Sequence, residues 1–189
     1  MTTIRKEMTK DIAAREALLD RTFGDARFTK AAERLRKGRL PACGLSFVAT
    51  TGNRVVGTVR LWHVSAGPAR PALLLGPLAV DDAWRGLGTG AALMRHATEA
   101  AQRLGHQAVL LVGDAPYYGR FGFSAKKTGG LWMPGPCERD RLLARELVPG
   151  TLDGARGLIN ATGERMLIPD LAALIAGLAR TDTRASRAA

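Results

Sequence analysis

Apolar positions along the chain alternate between strand-like and helix-like spacing. Residues 2–8 read as a first strand, and Lys10 to Phe23 sets Ile12, Leu18, Leu19 and Phe23 at spacings that fit one helix face. A second helix is expected from about Thr29, which can cap it, with Glu33 in its first turn and Gly38 and Pro41 ending it. The run Leu45 to Ala49 and the alternating Val55 to Val64 predict two strands, and the turn-forming Thr51-Gly52-Asn53 between them predicts an antiparallel hairpin. Ala72 to Val80 is apolar along nearly its whole length, as a central strand covered on both faces would be. Gly76-Pro77 interrupts it; proline cannot donate to a ladder and glycine weakens a strand interior, so a bulge or a local parting of strands is expected there.

The clearest helix spans about Gly88 to Leu104, with Leu93, Ala97, Ala100, Ala101 and Leu104 on one face and Gly105 placed to end it. Ala108 to Val112 then reads as a buried strand, Pro116 to Gly122 as a short helix or turn, and Arg141 to Val148 as a final strand. Residues 124–140 read as a long loop, in which Trp132 could floor a pocket or anchor the loop. The whole is an α+β order with a strand-helix-strand crossover at 72–112, which should be right-handed. Beyond it, Leu167, Ile168, Leu171, Leu174, Ile175 and Leu178 suggest a helix whose apolar face docks on the domain or on a second copy, giving a homodimer, before an Ala/Arg tail that frays.

Composition narrows the class. At 189 residues one compact domain is expected, and 46% apolar with 24% charged residues argues for a packed core over disorder. The two cysteines, Cys43 and Cys137, lie far apart, which offers neither a disulfide framework nor a structural metal site. No stretch resembles a signal peptide or a bilayer span, so a cytoplasmic protein without a membrane partner is expected. The formal charge of +11 first suggests nucleic acid. However, basic and acidic residues alternate between Met1 and Leu40, and no aromatic-basic strand or zinc-finger pattern appears, so no specific nucleic-acid partner is expected.

Between the central strand and the best helix runs Val80-Asp81-Asp82-Ala83-Trp84-Arg85-Gly86-Leu87-Gly88-Thr89-Gly90. Its glycines let the backbone approach a ligand closely, and the open N–H groups of the helix start, its dipole and Arg85 together suit a pyrophosphate. A P-loop fails because Gly90 is followed by Ala91-Ala92, not Lys-Ser or Lys-Thr. A dinucleotide fingerprint fails because four residues, Asp81 to Trp84, separate the strand from Arg85. What fits is R-x-x-G-x-G, Arg85 to Gly90, preceded by Val80.

With this segment the sequence resembles the GCN5-related N-acetyltransferase (GNAT) family of acyltransferases. Tyr118-Gly119-Arg120-Phe121-Gly122-Phe123 is similar to the family's Y-x-x-x-G-F segment. The pieces Leu75 to Val80, Pro116 to Phe123 and Leu147 to Gly154 resemble more narrowly the bacterial YhbS-like group. The resemblance covers roughly residues 2–154 and implies an acetyltransferase domain at 1–154 with a C-terminal extension at 155–189. It implies a mixed, mostly antiparallel central sheet, splayed between its fourth and fifth strands and flanked by helices. Acetyl-CoA is then the acyl donor, bound by Arg85, Gly86, Leu87, Gly88, Thr89 and Gly90 at its pyrophosphate and by amides near Leu78, Ala79 and Val80 along its pantetheine arm.

Tyr118 holds the family position of the tyrosine that protonates the leaving thiolate, with Tyr117 its adjacent rival. Tyr117 and Phe121 fall in the cofactor segment, and Asp114 stands where many members carry a cofactor-contacting asparagine. No general base is assigned: Ala72 to Val80 carries no carboxylate, and His63, on the preceding strand, is more often a structural histidine. The function implied is direct transfer of an acetyl group to an amine, the acceptor being a small molecule or a peptide. A non-catalytic acyl-CoA-binding or regulatory module of the same fold, and a basic RNA- or ribosome-associated protein, are the alternatives.

Overall fold

The computed structural model describes residues 2–167. Strands β1 (Thr3–Lys6), β2 (Ser46–Thr51), β3 (Arg54–Ala66), β4 (Pro71–Val80), β5 (Ala108–Val112) and β7 (Leu142–Glu146) lie side by side in the order β1-β2-β3-β4-β5-β7. All neighbours are antiparallel except β4 and β5. That parallel pair needs a crossover, supplied by α3 (Thr89–Arg103). Gly105, with φ +80°, turns the chain out of α3. The splayed, mostly antiparallel sheet expected from the sequence is thus present.

Two strands were not read from the sequence. β6 (Gly130–Trp132) pairs in parallel with β8 (Arg156–Ala161), and β8 pairs with Val64 to Ala66 of β3. At 13 residues β3 is long enough to seat β2 along its first part and β8 along its end. Arg141 to Val148 is therefore not the last strand, and the domain edge placed at 154 falls one strand short of the sheet. The helix expected over Leu167 to Leu178 lies, from residue 168 on, outside the described residues. Among the described residues no helix is long and apolar enough to cross a membrane.

One sheet face carries α3: Leu93, Met94, Ala97 and Ala101 pack with Phe47, Val59, Leu73 and Leu111. Leu104 is 56% exposed, because the helix ends before it and its side chain leaves the buried stripe. The other face carries α1 (Ile12–Phe23) and α2 (Ala31–Arg36): Leu18 and Leu19 pack on Val48, Val55 and Ala79, while Ala31 and Leu35 pack near Trp62 and Leu74. Ile12, in the opening turn of α1, stays exposed. The buried side chain of Glu7 receives both Arg15 of α1 and Arg60 of β3, tying α1 to the sheet. Thr29 does not cap α2; its hydroxyl donates to the Ala26 carbonyl at 3.0 Å and the helix starts after Lys30.

Gly76-Pro77 acts as expected. Val59 faces Leu78 and Leu61 faces Leu75, so Gly76 and Pro77 bulge opposite Arg60. Gly76 holds φ +130°, which a side chain would resist, and its carbonyl accepts a 2.6 Å hydrogen bond from Trp62 Nε1. β5 pairs with β4 only at Leu73 and Leu74, before the bulge; beyond it the two strands separate.

Candidate active site in the gap between two strands

Asp81 closes β4 and opens the glycine-rich loop: its carboxylate accepts the Ala83 N–H at 3.2 Å and Arg54 at 2.8 Å. Gly86 and Gly88 take the left-handed conformation with φ of +77° and +81°, the requirement that selects glycine at both. The first helical bond of α3 runs from the Ala92 N–H to the Gly88 carbonyl, and the amides of Gly86 through Ala91 make no hydrogen bond to the described residues. They form a set of open donors at a helix N-terminus. Arg85 is exposed beside them and paired with Asp82 at 3.0 Å; Leu87 is also exposed, and Thr89 is buried. A Cβ on Gly90 would stand 3.0 Å from the Tyr117 hydroxyl, so this glycine lets the loop and the tyrosine meet.

The separated strands turn further donors into the gap. The Asp81 N–H points to β3, donating to the Val56 carbonyl at 2.9 Å. Direction alternates along a strand, so the Ala79 amide also turns to β3, whereas those of Leu78 and Val80 turn to the side that β5 has left. Of the three amides expected to be free, that of Ala79 is therefore committed to the sheet, and its methyl is buried under α1.

Across the gap, α4 (Ala115–Gly119) starts at Asp114, whose carboxylate accepts the Tyr117 N–H at 3.2 Å. Tyr117 and Tyr118 pack edge to face with ring centroids 4.9 Å apart. The Tyr118 ring packs against Gly113, where a Cβ would come within 2.1 Å of it. Burial, with the neighbouring Tyr117 adding to it, pushes the Tyr118 hydroxyl up to about 12. Phe121 is 7% exposed; it packs behind Tyr117 in the core and does not line the gap.

Around this gap is a cavity of about 730 Å³. Leu75 to Leu78 of β4, Leu111 to Asp114 at and just past the end of β5, and both tyrosines form its middle. Its far wall was not legible in the sequence: Arg27, Lys30 and Arg36 from the α1–α2 segment, and Cys137, Glu138 and Arg141 from before β7. None of the three histidines lines it. His63 packs with His106, and His96 packs on Phe47. Trp132 is also elsewhere, exposed with Arg139 stacked 4.1 Å above its ring. Among the described residues no cluster of three metal-ligating side chains occurs.

Residues 43–125, from before β2 through α4, match the family described as the acetyltransferase (GNAT) domain. The chain is 29% identical over 157 residues to the uncharacterised N-acetyltransferase YhbS of Escherichia coli strain K12, covering 82% of this chain and 93% of the relative. The crystal structure of E. coli YhbS, a GNAT family N-acetyltransferase in complex with CoA, superposes with a TM-score of 0.72 at 30% identity, covering 85% of this chain and 89% of that one. A GNAT family acetyltransferase from Brucella melitensis in complex with acetyl-CoA gives a TM-score of 0.58 at 28% identity, over 77% of this chain and 96% of that one. The splayed sheet, the open-amide loop and these similarities lead to one conclusion: the chain belongs to the GNAT family of N-acetyltransferases.

Proposed function

We propose that the protein transfers an acetyl group from acetyl-CoA directly to an amine bound on the α1–α2 side of the cavity, with Tyr118 as proton donor to the leaving thiolate. The observation that carries this reading is the position of Tyr118: it lines the cavity at the gap where β4 and β5 part, together with Leu78 and the cationic far wall. The residues fit the donor. The amides of Gly86 to Ala91 offer hydrogen bonds to a pyrophosphate, with Arg85 free to swing from Asp82 onto it. Val80 offers its amide to the pantetheine arm, which leaves that of Leu78 for the thioester. Asp114, committed as a helix cap, has no evident part in this, and Phe121 only backs Tyr117.

Acetyl-CoA supplies an acetyl group activated as a thioester. The Leu78 N–H is placed to donate to the carbonyl oxygen as negative charge develops on it, a contribution worth about 3–4 kcal/mol where one such donor has been removed. The amine nitrogen forms the new C–N bond, the C–S bond breaks, and the Tyr118 proton passes to sulfur. A phenol at about 12 stays protonated at working pH. In bulk water it would not give its proton to a thiolate of pKa about 8.5, but the burial that raises the phenol also raises a thiolate beside it. With no histidine in the cavity, the proton lost by the amine leaves through water or a cavity carboxylate.

Thiol release from acetyl-CoA over an amine panel, alongside calorimetric binding of CoA, tests the reading. Turnover with saturable amine dependence supports it. CoA binding with no turnover for any amine would favour the acyl-CoA-binding module. The RNA-associated reading requires nucleic-acid binding that falls steeply with salt, and none is expected.

A further inference from the structure

The wall facing Tyr118 across the cavity carries more positive than negative charge. Arg36 is nine-tenths buried; Glu33 holds its Nε and Nη2 at 3.2 and 3.0 Å. Its Nη1 has no hydrogen-bond partner among the described residues and lies against the Gly76 kink, 3.5 Å from where a Cβ there would stand. Arg27 is held by Glu16 and Asp20, yet its buried Nε is without a partner. Lys30, at the lip, has no carboxylate within 4.0 Å among the described residues; its ammonium sits 4.7 Å over the Phe23 ring. Arg141 has Glu138 at 3.7 Å. Among the described residues the cavity has two carboxylates, Asp114 and Glu138, both exposed.

We infer that the acceptor carries a carboxylate as well as its amine, and that the carboxylate is seated on the wall formed by Lys30 and Arg36. This rests on the acetyl-transfer reading above. On this wall Arg27, Arg36 and Arg141 already face carboxylates, and Asp114 belongs to the opposite, tyrosine side, so the unbalanced charge of the wall is close to that of Lys30 alone. That matches a monoanion better than a phosphate dianion. Polyamines and polycationic antibiotics are disfavoured, because each extra ammonium would face Lys30 and the three arginines. The same cations favour the neutral form of the acceptor amine, the nucleophilic one, in a cavity that holds no histidine to deprotonate it.

The test uses the full chain saturated with CoA and two acetylated products that differ by a carboxylate for a methyl group, N-acetyl-6-aminohexanoate and N-hexylacetamide, titrated by calorimetry. The carboxylate compound should bind about tenfold tighter or more, as expected for a hydrogen bond to a charged group. Lys30→Gln should remove most of that preference, and Lys30→Arg should keep it. Equal binding of the two compounds, binding of neither, or a preference unchanged by Lys30→Gln would overturn the inference. In the thiol-release assay 6-aminohexanoate should exceed 1,6-diaminohexane in kcat/KM, and the reverse order counts against it. A persistent calorimetric preference with no thiol release for any amine would instead defeat the acetyl-transfer reading and leave the carboxylate site standing.

Discussion

Replacing Gly113 by alanine would set a methyl group 2.1 Å from one carbon of the Tyr118 ring and 2.6 Å from the next. Carbon atoms rest at about 3.5–4.0 Å, so the ring must retreat by more than about 1 Å. Gly113 does not need a positive φ, so the backbone accepts alanine and the perturbation falls on the tyrosine. Overpacking of this kind costs about 1–3 kcal/mol, which the fold should survive. The catalytic cost is larger: a misplacement of about 1 Å can remove roughly a hundredfold in rate. Gly113→Ala should therefore lower kcat for thiol release by about a hundredfold and leave KM for acetyl-CoA nearly unchanged, because the open amides of Gly86 to Ala91 lie outside the perturbed contact. The double variant with Tyr118→Phe should be no slower than Tyr118→Phe alone, since both changes remove one function. Wild-type kcat in Gly113→Ala, or fully additive losses in the pair, would refute the reasoning.

Other expectations follow from the same contacts. Arg85→Ala should raise KM for acetyl-CoA by about three- to tenfold with kcat nearly unchanged, a modest effect because the side chain is exposed, and one that shrinks with added salt. Trp62→Phe leaves the Gly76 carbonyl without its 2.6 Å donor; stability by denaturant titration should fall by about 1–3 kcal/mol and Tm by a few degrees. Hydrogen bonds from Arg5, aided by the Met8 N–H, hold Asp11 at about 2, below its unfolded value near 3.9. Its contribution is therefore present above about pH 4 and lost as pH falls toward 2, and Asp11→Asn should flatten that stretch of the acid-unfolding curve.

What was legible in the sequence is what rests on backbone. Gly86, Gly88, Gly90 and Gly76-Pro77 advertise positive φ, close approach and a broken ladder, and those features alone place the open-amide loop and the gap. Tyr118 was legible through the family resemblance that surrounds it. The orientation of the Ala79 amide was not, because it depends on which side of β4 keeps its partner. Phe121 stood in the right segment yet turned into the core. β6 and β8 were missed because Gly130–Trp132 and Arg156–Ala161 are short, partly polar and stable only through each other and β3. The cationic wall was illegible for a different reason. Arg27, Lys30 and Arg36 look like a solvated helix face in sequence, and only the packing of α1 and α2 over the gap gives them something to face.

The most direct measurement is the steady-state rate of thiol release by Tyr118→Phe with acetyl-CoA and a saturating amine. Loss of a general acid predicts kcat lower by about 10²–10⁴ while KM for acetyl-CoA stays within about threefold of wild type. An unchanged kcat, or a raised KM at full kcat, would contradict the assignment of proton donation to Tyr118 in the gap between β4 and β5.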